Sequence, residues 1–330
     1  MMTSPIALQS LRDAAVLSGG AGHDVLRATG KDRVVFLQRI TSGKIAGVEP
    51  GQGSQTLLLD VRGHVLCRLL VFVREQSLRI IVPAGQGASV AEGLSKYAIM
   101  DDFQIVAEAE LASLAVLGPK AEATLIAAGI PVPSGLLGLP LYAHADVTSD
   151  AHGPVWIAHG RALGSEGLCV VAKRPDRDAI VQALLGAGVP SLPGEMAEAL
   201  RILALEPKLG SEITPDRFPV EVGLAAAIDH GKGCYVGQET IVRMRDRGNV
   251  RKRLALLRLS GADAPKPGDK LAAEGQPAAG VVTSAGCLPG ESAVALAIVA
   301  TAVPLGAKVD ILDADGKLSA EVAAEVPPWG

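Results

Sequence analysis

The chain has 330 residues, 48% of them hydrophobic and 20% charged, with a formal net charge of −4 at pH 7. That length and composition allow two or three cored domains and exclude disorder as a global state. The negative balance and the 3% aromatic content exclude a general affinity for nucleic acid and a stacking platform for single strands. No apolar run is long enough to span a bilayer. The opening MMTSPIALQSLRDAAVLSGG lacks the basic start and apolar block of a secretory signal, so the cytoplasm is the expected compartment.

In chain order, GKDRVVFLQRIT (30–41) sets Val34, Phe36, Leu37 and Ile40 on one helical face. Residues 54–84 read as three strands broken by the turn signals VRGH and REQS. A helix over about 85–98 and a strand at FQIVAEA complete a first unit. A second unit starts near Leu111 with the strand LASLAVLG and the helix PKAEATLIAAG, which has Pro near its start and Gly at its end. A hairpin-like pair in PVWIAHGRALGSEGLCVVAK and the helix PDRDAIVQALLGAG follow. Both units are thus α+β, the second similar in layout to the first. After a helix over about 194–206, the texture changes at Arg253. Six short apolar runs divided by Gly, Pro and Asp predict a small antiparallel β-barrel or sandwich. The final Pro-Pro-Trp-Gly reads as a loose tail.

Four cysteines stand at 67, 169, 234 and 287, none close to another. Neither a C-x-x-C motif nor a disulfide is expected, and no metal site is assigned. The six histidines show no paired ligand spacing. No G-x-x-x-x-G-K-S/T phosphate loop and no G-x-S-x-G elbow appears, and GGAG at 19–22 follows no convincing strand.

The chemistry concentrates in HGKGCYVGQETIVRMRDRGNVRKRL, His230–Leu254. Gly231, Gly233 and Gly237 allow unusual backbone angles and close approach. A helix beginning near Gln238 would put Cys234 close to a helix N-terminus, with Lys232 and Arg243 adding positive field. Such a niche favours a thiolate. Equally, Cys234 reads as a small buried hydrophobe. Arg243, Arg245, Arg247, Arg251, Lys252 and Arg253 read either as a solvated face or as an anion-binding wall. Tyr235 could stack on a planar ligand or lie half-buried with its hydroxyl satisfied.

The segment KGCYVGQE, Lys232–Glu239, resembles the signature of the YgfZ family, folate-binding proteins that assist iron–sulfur enzymes and are related to the glycine-cleavage T-protein. Supporting likeness comes from GKDRVVFLQRIT, DVRGHV, ALRILALEPKLGSEIT with FPVEVGL, and GVVTSAG with AVALAIV. The resemblance implies an α+β fold: two ferredoxin-like lobes around a central folate-type pocket, plus a C-terminal antiparallel β-barrel. The expected domains are 1–110, with 195–248 returning to it, then 111–194 and 249–330. It implies Cys234 and Lys232 as the catalytic residues, supported by Gly231, Gly233, Tyr235, Gly237, Gln238 and Glu239. Arg201, Tyr235 and Arg243 are the expected folate contacts and tetrahydrofolate the cofactor. Arg201 also reads as a surface residue of an amphipathic helix.

The sequence departs from the transferase relatives. Cys67 and Arg68 occupy the places of their Asp pair, and Ala162 and Cys169 those of a pocket tyrosine and a pterin-gripping glutamate. A thiol cannot reproduce the two acceptor oxygens of a carboxylate. The implied function is an accessory factor for assembly or repair of iron–sulfur proteins, and indirectly for tRNA modification. Its partners would be iron–sulfur enzymes or assembly proteins, with no membrane and no direct nucleic-acid contact. The alternative is a folate-dependent aminomethyltransferase-like enzyme, whose carboxylate would come from Asp60, Asp101 or Asp102.

Overall fold

The computed structural model describes residues 11, 16–18, 22–248, 250–312 and 317–326. The expected tail (327–330), most of GGAG and nearly all of the N-terminal stretch lie outside the described residues. In chain order the strands are β1 (Val16–Ser18), β2 (His23–Thr29), β3 (Gly53–Leu59), β4 (Val65–Val73), β5 (Leu78–Pro83), β6 (Gln104–Ala107), β7 (Leu111–Leu117), β8 (His144–Ser149), β9 (Gly153–Ala162), β10 (Ser165–Lys173), β11 (Ser191–Leu192), β12 (Lys252–Leu259), β13 (Lys270–Ala273), β14 (Gln276–Cys287), β15 (Ala293–Ala300), β16 (Lys308–Leu312) and β17 (Lys317–Glu325). The helices are α1 (Arg33–Ile40), α2 (Gly87–Ser95), α3 (Ala121–Ala127), α4 (Arg174–Gly186), α5 (Gly194–Leu203) and α6 (Gln238–Arg247).

Two compact units result. One contains Met1–Leu58, Cys67–Pro193 and His230–Tyr235, the other Leu59–Leu66, Gly194–Asp229 and Val236–Gly330. The first unit holds two sheets. One has the order β3-β4-β5-β2-β6, the other β11-β1-β7-β10-β9-β8. The connectivity repeats: strand, helix, three strands, helix, strand, from β2 to β6 and again from β7 to β11. In the second sheet β1 is slotted between β7 and β11, parallel to β11.

Local chemistry explains the elements. In α1 Phe36, Leu37 and Ile40 are buried, as the spacing predicts, and Val34 is half-buried. The helix stops where Thr41 turns extended and Ser42 joins the backbone of Leu57. Strand β4 buries Val65, Cys67, Leu69 and Val71 on alternate positions, the period of a sheet with one covered face. Behind the second sheet, Leu125 of α3 and Ile180 and Leu184 of α4 pack on Val116, Leu168 and Val170.

The two sheets meet through Val25, Phe72 and Ile81 on one side and Trp156, Ala158 and Val171 on the other. His144 sits at this seam. Its Nε2 donates to the Val73 carbonyl at 3.0 Å, and its Nδ1 accepts from Trp156 Nε1 at 3.2 Å. Both ring nitrogens are thus committed to the neutral imidazole. Burial, above all, holds His144 below its ordinary value. With a folded-state value below the unfolded one of about 6.5, stability is full above that pH and is lost as pH falls through the folded value. Thermal unfolding is therefore expected to show a lower Tm at pH 5 than at pH 7.5. His144→Gln should flatten that slope; an unchanged slope would remove His144 from the account.

The second unit contains the predicted barrel, closed in the order β12-β15-β14-β13-β16-β17. All six apolar runs became its strands. Ala255, Leu257 and Leu259 on β12 and Ala293, Ala295, Ala297 and Val299 on β15 line its interior at every second position. Alanine recurs because a six-stranded barrel leaves little room inside. Helix α5 lies over β14, its Ala199 against Gly286.

Candidate functional site

Lys232, Cys234 and Tyr235 belong to the first unit. The Lys232 ammonium donates to the Thr41 carbonyl and, at 2.8 Å, to the Gly43 carbonyl, at the stop of α1. It also stands 5.4 Å from the centroid of the Tyr235 ring, within cation–π range. Its charge is therefore divided between carbonyls and a π face, which makes Lys232 an anchor for the segment. Tyr235 is buried and Cys234 is exposed. The reading of Cys234 as a buried hydrophobe is thereby removed.

Helix α6 begins at Gln238, four residues after the cysteine, as the sequence predicts. Gly237 precedes it with φ of 80°. A Cβ there would stand 2.5 Å from the Asp60 carbonyl and 2.9 Å from Gly63 Cα, so only glycine lets the β3–β4 turn lie on this backbone. Gly233 faces open space, so its lack of a side chain answers no local crowding. Glu239 and Arg243 form an exposed ion pair one helical turn apart.

The same turn holds a pair that sequence reasoning missed. Asp60 Oδ2 lies 3.0 Å from His64 Nδ1, while Oδ1 accepts from the backbone N–H of Arg62 and of His64. Partial burial works against the carboxylate, but these bonds hold Asp60 below its usual range. The signal was the D-x-x-x-H spacing across a glycine turn. Of the other carboxylates considered for an enzyme, Asp101 pairs with Arg39 and Asp102 accepts from the Lys31 N–H. All three are engaged in shaping the chain.

Arg201, expected at a folate or on a surface, is instead buried. Its Nε and one Nη hold Glu198, the other Nη holds Glu212 at 3.0 Å and the Glu206 carbonyl, and Ser284 Oγ takes the last donor at 2.7 Å. Glu212 is fully buried. A guanidinium has five N–H donors and all five are used, so none is left for a ligand.

Cys67 is buried, and burial pushes its thiol up to about 12. Loss of water does the same to Cys169, also to about 12, although the Arg79 guanidinium opposes it. Both sulfurs are thus held as neutral thiols. Cys287 is half-buried and donates toward the Leu288 and Glu291 carbonyls. Iodoacetamide is expected to label Cys234 first in the folded chain and Cys67 and Cys169 only on unfolding, read by peptide mass spectrometry. Equal labelling of Cys67 and Cys234 would contradict this ordering. Among the described residues no three His, Cys, Asp or Glu side chains group so as to hold a metal ion.

Residues 9–232, more than half of the chain, match the family described as the GCVT N-terminal domain. The chain belongs to that family. The match ends at Lys232, so the cysteine of this GCVT-domain chain lies just beyond it. An aminomethyltransferase of Thermosynechococcus vestitus is 28% identical over 80% of the chain and 70% of its own length. A chloroplastic protein of Arabidopsis thaliana, named as a transferase, is 24% identical over 82% of the chain, which spans 62% of that relative's length. The crystal structure of the glycine cleavage system aminomethyltransferase T from Bartonella henselae superimposes with a TM-score of 0.84, covering 96% of this chain and 87% of that one at 23% identity. The GCVT-type fold is thereby shown. Among the described residues no helix is long and apolar enough to cross a membrane.

Proposed function

We propose that the chain is a folate-binding accessory factor for the assembly or repair of iron–sulfur proteins, working in the cytoplasm through a thiolate at Cys234. The observation that carries this reading is the exposed cysteine of KGCYVGQE; the carboxylates weighed for the alternative, Asp60, Asp101 and Asp102, are held in turns and ion pairs. Thiolates are the form of cysteine that attacks electrophiles and binds soft metals. Within this reading Arg243 serves the folate by charge, while the buried Tyr235, its ring against Lys232, supports the segment rather than stacking on the ligand, and tetrahydrofolate supplies the one-carbon chemistry when bound. The engaged donors of Arg201 take it out of that role. The lobes would be ferredoxin-like: the order β6-β2-β5-β4 is that of a split βαββαβ unit with β3 added at the edge. Any link to tRNA modification would run through iron–sulfur client enzymes.

A second reading, a folate-dependent aminomethyltransferase-like enzyme, is favoured by relatives named as aminomethyltransferases. Two measurements separate them. Titration with tetrahydrofolate is expected to show binding under both. Cys234→Ser is expected to lose more than about tenfold of the recovery of iron–sulfur enzyme activity in a strain lacking this chain. Full recovery by that variant, together with turnover of a glycine-derived aminomethyl donor, would establish the second reading instead.

A further inference from the structure

Helix α6 carries Thr240, Arg243, Met244 and Arg247 at i, i+3, i+4 and i+7, which is one helical face. In a packed helix such a face is ordinarily apolar. Here Ile241 is the buried residue of α6, and the Thr-Arg-Met-Arg face borders a cavity of about 270 Å³ that Phe218 and Arg251 help to line. Three guanidinium groups therefore share one small space. Like charges one turn apart oppose helix formation. Glu239 offsets Arg243, but among the described residues no carboxylate pairs with Arg247 or Arg251. The cavity's own acid, Glu221, has Oε2 accepting from the Phe218 N–H at 3.2 Å and offsets one of the three positive charges. Helix-dipole complementarity accounts for an arginine in the last turn. It does not account for Arg243, a turn earlier, or for Arg251, beyond the helix, converging on the same space.

We propose that this cavity binds a small, multiply charged oxyanion. The forks of Arg243, Arg247 and Arg251 hold its charged oxygens, the Thr240 hydroxyl supplies a further donor, and Phe218 and Met244 flank its apolar part. Guanidinium forks suit carboxylate and phosphate oxygens alike, so oligocarboxylates and condensed phosphates share the required chemistry. The space is open to solvent on one side, so a small oxyanion or the charged end of a larger molecule can reach it. The site shares Arg243 with the folate reading, but it adds Arg247 and Arg251, and its test uses probes that are not folates, so either can fail alone.

Calorimetric titration of the full chain with tripolyphosphate and, separately, with tri-γ-glutamate at low salt tests the proposal. Saturable one-to-one binding of at least one probe is expected, weakening as salt is raised. Arg247→Gln/Arg251→Gln should weaken it by about tenfold or more without changing Tm, since both side chains are exposed. The charge-keeping Arg247→Lys/Arg251→Lys variant should fall in between, having kept the charge and lost the forks. A response confined to one probe identifies the chemistry as phosphate or carboxylate. No binding of either probe, or undiminished binding by the Gln variant, would overturn the proposal.

Discussion

Replacing Arg201 with methionine is expected to destabilise the chain by about 3–5 kcal/mol in urea unfolding. Glu212 is fully buried and Ser284 nearly so, and both meet in this network, Ser284 Oγ donating to Glu212 Oε1 at 2.6 Å. Removing the guanidinium leaves a carboxylate in the interior with its counter-charge gone. The same network joins α5 to β14 of the barrel, 83 positions along the chain, so its loss also loosens the barrel's cover. The double variant Arg201→Met/Glu212→Leu is expected to recover much of the loss, because apolar side chains of similar volume replace a buried pair at little net cost. A single-variant loss below about 1 kcal/mol would mean that water reaches the network and the burial is only apparent.

Gly237→Ala is expected to lose about 3 kcal/mol. Two terms add: a left-handed backbone that an alanine enters with strain, and a methyl group driven into the Asp60 carbonyl and Gly63. The turn that yields carries the Asp60–His64 pair, so the His64 imidazole should lose its fixed orientation, visible as a weakened NMR contact between its ring and that of Phe218, whose centroids lie 4.6 Å apart. Gly233→Ala, facing open space, is the control and should change stability by less than about 0.5 kcal/mol. Equal losses at the two glycines would show that packing against the turn is not what fixes Gly237.

The two predictions also mark where sequence reasoning stops. The barrel strands were legible because Gly, Pro and Asp punctuate short apolar runs; closure was not, since period-two burial is the same in a sandwich. Strands β2 (HDVLRAT) and β8 (HADVTS) were missed, as neither shows a run of β-formers and both gain their cover from distant chain. The start of α6 was visible from Gly237 and the helix-forming residues after it. The exposure of Cys234 was one of two open outcomes, because glycines next to a thiol suit a ligand approach and a tight turn equally. Arg201 was misplaced for a plainer reason. Its partner Glu198 stands three residues away on the same helix, but the partners that bury it, Glu212 and Ser284, lie 11 and 83 positions away, and pairing at that range leaves no local periodicity.

The division of the chain has a practical consequence for anyone wishing to dissect it. The backbone passes from one unit to the other after Leu58, Leu66, Pro193, Asp229 and Tyr235. No single cut, and no pair of start and stop codons, therefore releases either unit whole. The hexapeptide His230–Tyr235, which bears the exposed Cys234, is tethered at both ends to the opposite unit. Expression of a truncated half should yield insoluble fragments, and any transplant of the cysteine motif into another scaffold has to carry the spliced pieces with it.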